Sequence, residues 1–453
     1  MAVALRPISI PDFSAPGEQP RIPAATYAAR CEALTARAAC DWVAVYADRE
    51  HFANIAFLTG FEPRFEEALL LLGAGRRVLV VGNECESYTP IAGLEGCETV
   101  LCQSFSLMGQ DRSRRASLVD VLRAVGIRAG DSVGLAGWKY LEPEEWDGEA
   151  PSFFAPAFVV DSLRRVAGAG GEVSDVTALL LHPTTGLRST IDADQIAAFE
   201  WAAARGSAAL WRIVAGARPG DSEFAAAARM GYAGEPMSCH TILASGGPGE
   251  TIMGLRSPSA RILERGDGVT VGIGLWGGLS CRAGLLAEAD EAFLKTAADY
   301  FAGLVTWYET SGIGAEGGAI HAAVAESLAR GGLRSSLNPG HLTGLDEWTH
   351  SPVRPGSTER IASGMPFQVD IIPAPMPAGW TLNCEDGVVF ADAALQAELK
   401  ARHPATLARM LARRDFVRNE LGVPVKDDLL PLSAIPLCLP PFWLRPDLLL
   451  TLG

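Results

Sequence analysis

The chain has 453 residues, 48% of them hydrophobic and 20% charged, with a formal net charge of -15. That length exceeds what one hydrophobic core serves, so two domains are expected, and the composition excludes an intrinsically disordered chain. With no Lys/Arg-rich run to offset it, the negative charge argues against a nucleic-acid partner.

Arg6 has no apolar run behind it, so no secretion signal is expected. Thr26 to Ala39 places Tyr27, Cys31, Leu34 and Ala38 at helical spacing, and Trp42 to Tyr46 reads as a strand. Ala68 to Leu72 and Val78 to Val81, separated by Gly73, Ala74 and Gly75, read as a hairpin. Arg112 to Arg115 reads as a solvated helix start. Leu118, Val121, Leu122 and Val125 form one helix face closed by Gly126, with Val133 to Ala136 the next strand. This alternation predicts an α/β domain over residues 1–185.

His182 to Gly186 breaks the pattern, and Ser189 with Asp192 reads as a capping box opening a long helix that carries Ile196, Phe199, Leu210 and Ile213. A second helix follows Pro219-Gly220-Asp221. The texture then turns to strands at Cys239 to Ala244, Val269 to Ile273, Phe367 to Ile372 and Cys384 to Phe390. A helix over Ala287 to Thr310 bears the stripe Phe293, Ala297, Tyr300, Leu304 and Trp307. Residues 186–453 are therefore expected to form an α+β domain. The apolar tail Leu429 to Leu452 is broken by five prolines and reads as an extended segment packed on the protein or on a subunit partner, not a membrane span. Nine cysteines without a CxxC pair fit reduced thiols and a cytoplasmic location.

Three of the seven histidines, His240, His341 and His350, fall in the strand-and-loop part of the second domain; His321 and His403 read as structural. Period-2 alternation puts Asp370 opposite in face to Val369 and Glu385 opposite to Cys384, and the turn-rich Pro373 to Gly379 lets the two strands pair with both acids on one face. Two acids on an otherwise apolar face need a partner, a proton or a metal. The same alternation turns Cys239 and Cys384 away from the pocket; the facing of Cys281 depends on the register of its hairpin.

Taken in order, these motifs resemble a known superfamily. The histidine after a strand (His240), Gly266-Asp267 before Val269 to Ile273, Gly340-His341-x-x-Gly344-Leu345, His350-x-Pro352, Asp370 after an apolar strand and Glu385-Asp386 are similar to the pita-bread superfamily of aminopeptidase P, prolidase, methionine aminopeptidase and creatinase (peptidase family M24). Asn54 to Phe61, with Arg413 to Phe416 and Leu421 to Val423, extends the likeness over nearly the whole chain. The resemblance implies a creatinase-like N-terminal α/β domain and a pita-bread α+β C-terminal domain. The metallopeptidases of that superfamily hold two divalent cations with two Asp, a His and two Glu. Here His341, Asp370 and Glu385 stand at the last three places, Gly272 at the first, and the second falls near Ser280 to Ala283, where there is no acid. Two ions about 3.5–4 Å apart need bridging carboxylates, so no metal cofactor is expected; a single ion on His341, Asp370 and Glu385 remains a second reading.

Creatinase, by resemblance, implies metal-free hydrolysis of a C–N bond in a small amino-acid-like or peptide-like substrate. His240 would be the general acid/base, His341 and His350 would orient substrate or water, and Asp370 and Glu385 would hold a cationic group. Arg64 would clamp a substrate carboxylate. Arg282, if it points inward, would pair with Asp370 or Glu385 and either plug the site, leaving an inactive binding protein, or suit it to an anion. The superfamily's habit and the apolar tail point to a homodimer.

Overall fold

The computed structural model describes residues 3–114, 116–148 and 151–453; Arg115, in the basic stretch noted above, lies outside the described residues. The chain divides into two compact units, residues 22–189 and residues 1–21 with 190–453. The division falls after Ser189, four residues beyond the expected one, and the first 21 residues belong with the C-terminal unit. They do so because Val3–Pro7 pairs antiparallel with Leu448–Leu452, a contact no local pattern announces.

The smaller unit is a six-stranded mixed sheet in the order Glu98–Leu101, Arg76–Val81, Ala68–Gly73, Trp42–Ala47, Ser132–Ala136 and Glu172–Asp175. Its central strands are apolar at every position because both faces are covered. Trp42, Ala44, Tyr46, Leu69 and Leu71 pack against the helices Leu118–Val125 and Ala157–Ala167. Val43, Val45, Ala68 and Leu70 pack against Tyr27, Cys31 and Leu34 of the helix Ala24–Ala38. The expected hairpin turns through Ala74 and Gly75, at φ 50° and 74°, the left-handed pair that a two-residue turn matched to strand twist requires. The helix Leu118–Val125 is capped by Ser117 and closed by Gly126, so the basic stretch precedes the helix instead of starting it. Arg112 there is held by the carbonyls of Ser106 and Leu107.

The larger unit is a seven-stranded antiparallel sheet in the order His341–Leu342, Pro366–Val369, Asn383–Phe390, Gly278–Leu285, Gly268–Leu275 and Ile242–Gly246, with Leu429–Pro431 also pairing Asn383–Phe390. The helix Ala193–Gly216 is capped by Asp192, whose side chain accepts from the Gln195 amide; Ser189 bonds locally to the Gly186 carbonyl and is no part of the cap. The helix Glu291–Thr310 buries its whole expected stripe, Phe293, Ala297, Tyr300, Leu304 and Trp307. The apolar tail is buried within its own unit, with Leu437, Cys438, Leu439, Phe442 and Trp443 at 1% exposure or less. It therefore gives no support to a subunit contact. No helix among the described residues is long and apolar enough to cross a membrane.

Candidate functional site

Sheet register assembles the site. Val369 pairs with Asp386, and one step further along the same register sets Asp370 opposite Glu385. Glu385 pairs with Cys281, and Cys281 with Gly272. Asp370, Glu385 and Cys281 thus form one row on one sheet face, as the alternation requires. Gln368 and Asn383 flank the row on that face, and His341 pairs with Gln368.

Asp370 is 5% exposed. Its carboxyl is pushed well above the usual carboxylate range by burial, then by the Glu385 charge and the hydrogen bond between the two, and more weakly by Glu347. A carboxyl buried against another charged one favours its protonated form. Asn383 Nδ2 donates to Glu385 Oε1 at 2.8 Å, which steadies one end of the pair. Cys281 lies beside it, its thiol pushed far up by burial and then by Glu385, so it stays protonated and does not serve as a thiolate nucleophile.

His341 is fully buried, its ring stacked on Trp348 with centroids 4.0 Å apart. Its Nε2 lies 3.0 Å from Glu347 Oε1, close enough for an ion pair though not aligned as a hydrogen bond. Glu347 and Trp348 were not singled out from sequence. They occupy the loop between His341 and His350, and the available signal was an acid beside an aromatic between two histidines. His350 is half-buried, its Nδ1 accepting from the Ser351 amide at 2.8 Å, and its backbone bridges Leu342. His403 bonds Asp194 Oδ1 at 2.9 Å, the structural part expected of it.

Two expectations about the strands beside the row are corrected. His240 lies outside the strand, which begins at Ile242. Ile242 faces Gly272 while Met237 faces Leu275, so five steps on one strand match three on its neighbour, a bulge. The bulge leaves His240 exposed, with Nε2 2.9 Å from the Leu255 carbonyl. Cys239 does not turn away from the carboxylates: burial, then Glu347 and Glu385, push its thiol up to about 11, and a Cβ on Gly274 would lie 3.1 Å from its sulfur. Cys384 does turn away, paired with Arg282.

Arg282 neither plugs the site nor offers itself to a substrate. It lies on the opposite sheet face, fully buried, with Nη2 2.7 Å from Asp386 Oδ2 and further bonds to the carbonyls of Ile435, Cys438, Cys281 and Glu385. Arg64 belongs to the smaller unit, exposed at φ 57° and engaged by Glu62 and Tyr88.

The residues do not fit a two-metal centre. Gly272 offers no donor, and a Cβ there would lie 2.8 Å from Cys281 Sγ, so the thiol fills the space of a carboxylate. Among the described residues no group of three or more His, Cys, Asp or Glu is arranged to hold a metal ion, which leaves the single-ion set His341, Asp370 and Glu385 without support.

No protein-family model and no curated protein matches the chain. Solved structures do. A prolidase from Pyrococcus horikoshii OT3 superposes with TM-score 0.62 at 15% identity, over 80% of this chain and 95% of that one. An X-Pro aminopeptidase from Thermotoga maritima MSB8 gives 0.61 at 14%, over 79% and 93%, and a dipeptidase from Mycobacterium ulcerans gives 0.58 at 20%, over 82% and 95%.

Proposed function

We propose, from the two-domain pita-bread fold that this chain shares with prolidases and Xaa-Pro aminopeptidases, that it is a metal-independent hydrolase of a C–N bond in a small amino-acid-like or peptide-like substrate. The observation that carries this reading is the buried carboxyl of Asp370, raised above the usual range by burial and by Glu385 beside it, in a row whose remaining places hold a glycine and a thiol. A carboxyl raised well above its usual range favours the protonated form and can give that proton to a leaving nitrogen.

The parts then divide as follows. Glu385, the partner of the protonated Asp370, holds a cationic group of the substrate. His240, exposed at the bulge next to Cys239, which itself feels Glu347 and Glu385, exchanges protons with solvent as general acid/base. His341, locked between Glu347 and Trp348, positions the loop that carries them, with His350 at that loop's far end.

Two measurements test it. Protein purified without chelators and dialysed against manganese and zinc is expected to hold well below one equivalent of metal by elemental mass spectrometry; stoichiometric retention would return the chain to the metallopeptidases. Screening against small amides and dipeptides should find a hydrolysed substrate whose turnover falls about 10²–10⁴-fold in His240→Ala with the fold intact. Unchanged turnover would remove His240 from the chemistry, and no turnover of any amide would favour a binding protein of the same fold. A cytoplasmic homodimer completes the proposal, and sedimentation as a monomer at micromolar concentration would overturn the dimer.

A further inference from the structure

Behind the sheet, on the face away from the acid row, the larger unit has a second recess. Gly272 faces Cys281 across the strand pair, so Ile273 and Leu275 point to the opposite face. With Ala208 and Ala209 of the helix Ala193–Gly216 and Met230 just past the helix Glu223–Ala228, they form the apolar wall of a recess of about 290 Å³. That is close to the lower end of the range of about 300–1,000 Å³ that small-molecule sites occupy. Three charged side chains complete the lining, Arg205, Arg212 and Glu235. Glu235 is answered by the Arg205 guanidinium and the Ala233 amide. Arg212 meets no carboxylate among the described residues; its Nε donates to the Arg229 carbonyl at 3.3 Å and its Nη2 to the Met230 carbonyl. Those carbonyls precede Gly231, at φ 64°, where a Cβ would come within 3.4 Å of Arg212 Nη2. The guanidinium fork is thus held in place, while the two Nη1 hydrogens have no acceptor among the described residues. In a chain of net charge -15, this recess carries one positive charge in excess beside an apolar wall.

We propose that the recess is an effector site for a small amphipathic monoanion, a medium-chain alkyl carboxylate, with its carboxylate on the Arg212 fork and its chain along the apolar wall. An alcohol of the same length keeps the chain contacts and loses the charge-assisted bonds; an alkylammonium brings a like charge to Arg212. The loop that walls the recess runs on through Met237, bridged to Leu275, and Ser238, whose amide donates to the Gly274 carbonyl at 3.1 Å, to Cys239 and His240. A ligand in the recess therefore steadies the segment that carries His240. The proposal does not rest on the hydrolase reading, since it concerns the other face of the sheet and is tested by binding.

Calorimetric titration of the full chain with octanoate, octan-1-ol and octylammonium, each below its aggregation concentration, tests this. Octanoate is expected to bind, the alcohol about tenfold more weakly through loss of a charge-assisted hydrogen bond, and octylammonium not measurably. Arg212→Gln, checked for folding by circular dichroism, should bring octanoate down to the affinity of the alcohol and leave the alcohol unchanged. Hydrogen exchange in the presence of octanoate should slow at 230–241 and stay unaltered at 369–386. Equal affinity for the carboxylate and the ammonium, no binding of octanoate, unchanged octanoate affinity in Arg212→Gln, or protection at 369–386 instead of 230–241 overturns the proposal. The comparison of the three compounds and the exchange measurement use the unaltered chain, so both stand even where the variant misfolds.

Discussion

Arg282→Ala is expected to lower the stability of the larger unit by about 3–5 kcal/mol, the range seen when one partner of a buried ion pair is removed. Arg282 is 0% and Asp386 2% exposed, so water cannot replace the guanidinium. Its loss strands the Asp386 carboxylate, left with only the Leu437 amide at 2.8 Å and the Ser433 side chain, together with the carbonyls of Ile435 and Cys438. Burial already raises the Asp386 carboxyl and the Arg282 charge opposes that rise. In the variant the rise loses the strongest group opposing it, and stability should fall further as pH climbs above the ordinary carboxyl range. Urea unfolding followed at several pH values measures this, and hydrogen exchange should locate the loosening at 435–443. Arg282→Met with Asp386→Leu should recover part of the loss, since no charge is then left buried. A single-variant loss under about 1 kcal/mol would show the pair to be solvated after all.

The same arginine shows where sequence reading stops. A strand reveals which residues alternate but not which face is which, and a slip of one residue exchanges the faces. The sequence Gly278 to Ala283 left open whether Cys281 or Arg282 faced the acids. Pairing of Cys281 with Glu385 settles it and sets Arg282 on the face away from the acids. Asp370 and Glu385 were legible because two acids flanked by apolar residues in two strands joined by a turn-rich segment leave one arrangement. Glu347 and Trp348 were not legible, because they lie in a loop where no period applies and their meaning comes from His341, to which the loop folds back.

The fold divides similarly. The stripe Phe293 to Trp307 and the hairpin through Ala74 and Gly75 are local, and their periods and turn residues declare them. The bulge that carries His240 out of its strand is a mismatch between two strands far apart in the chain. The pairing of Val3–Pro7 with Leu448–Leu452 joins the two ends. Neither leaves a trace in a window of ten or fifteen residues.

Asp370→Asn is expected to do two opposite things, and the combination separates a functional carboxyl from a structural one. Asparagine keeps the volume and can still donate to Glu385, but it carries no proton to transfer. Turnover of whichever amide the chain hydrolyses should fall about 10²–10⁴-fold. Stability should rise. The native Asp370 carboxyl titrates well above its ordinary 3.8, so between the unfolded and folded values the native state holds a proton that the unfolded state has released. Stability in that window falls as pH rises, and the deficit persists above it. Asparagine removes the titration, so the variant's advantage should be absent below about pH 4 and grow as pH rises. Denaturation midpoints of the two proteins across pH 4 to 8 test this, and parallel curves would show that Asp370 titrates normally. A residue that weakens its protein at the pH where it works is kept for what it does there. A more stable, inactive Asp370→Asn would place Asp370 in that class, and a more stable, fully active one would leave the pair a structural accident.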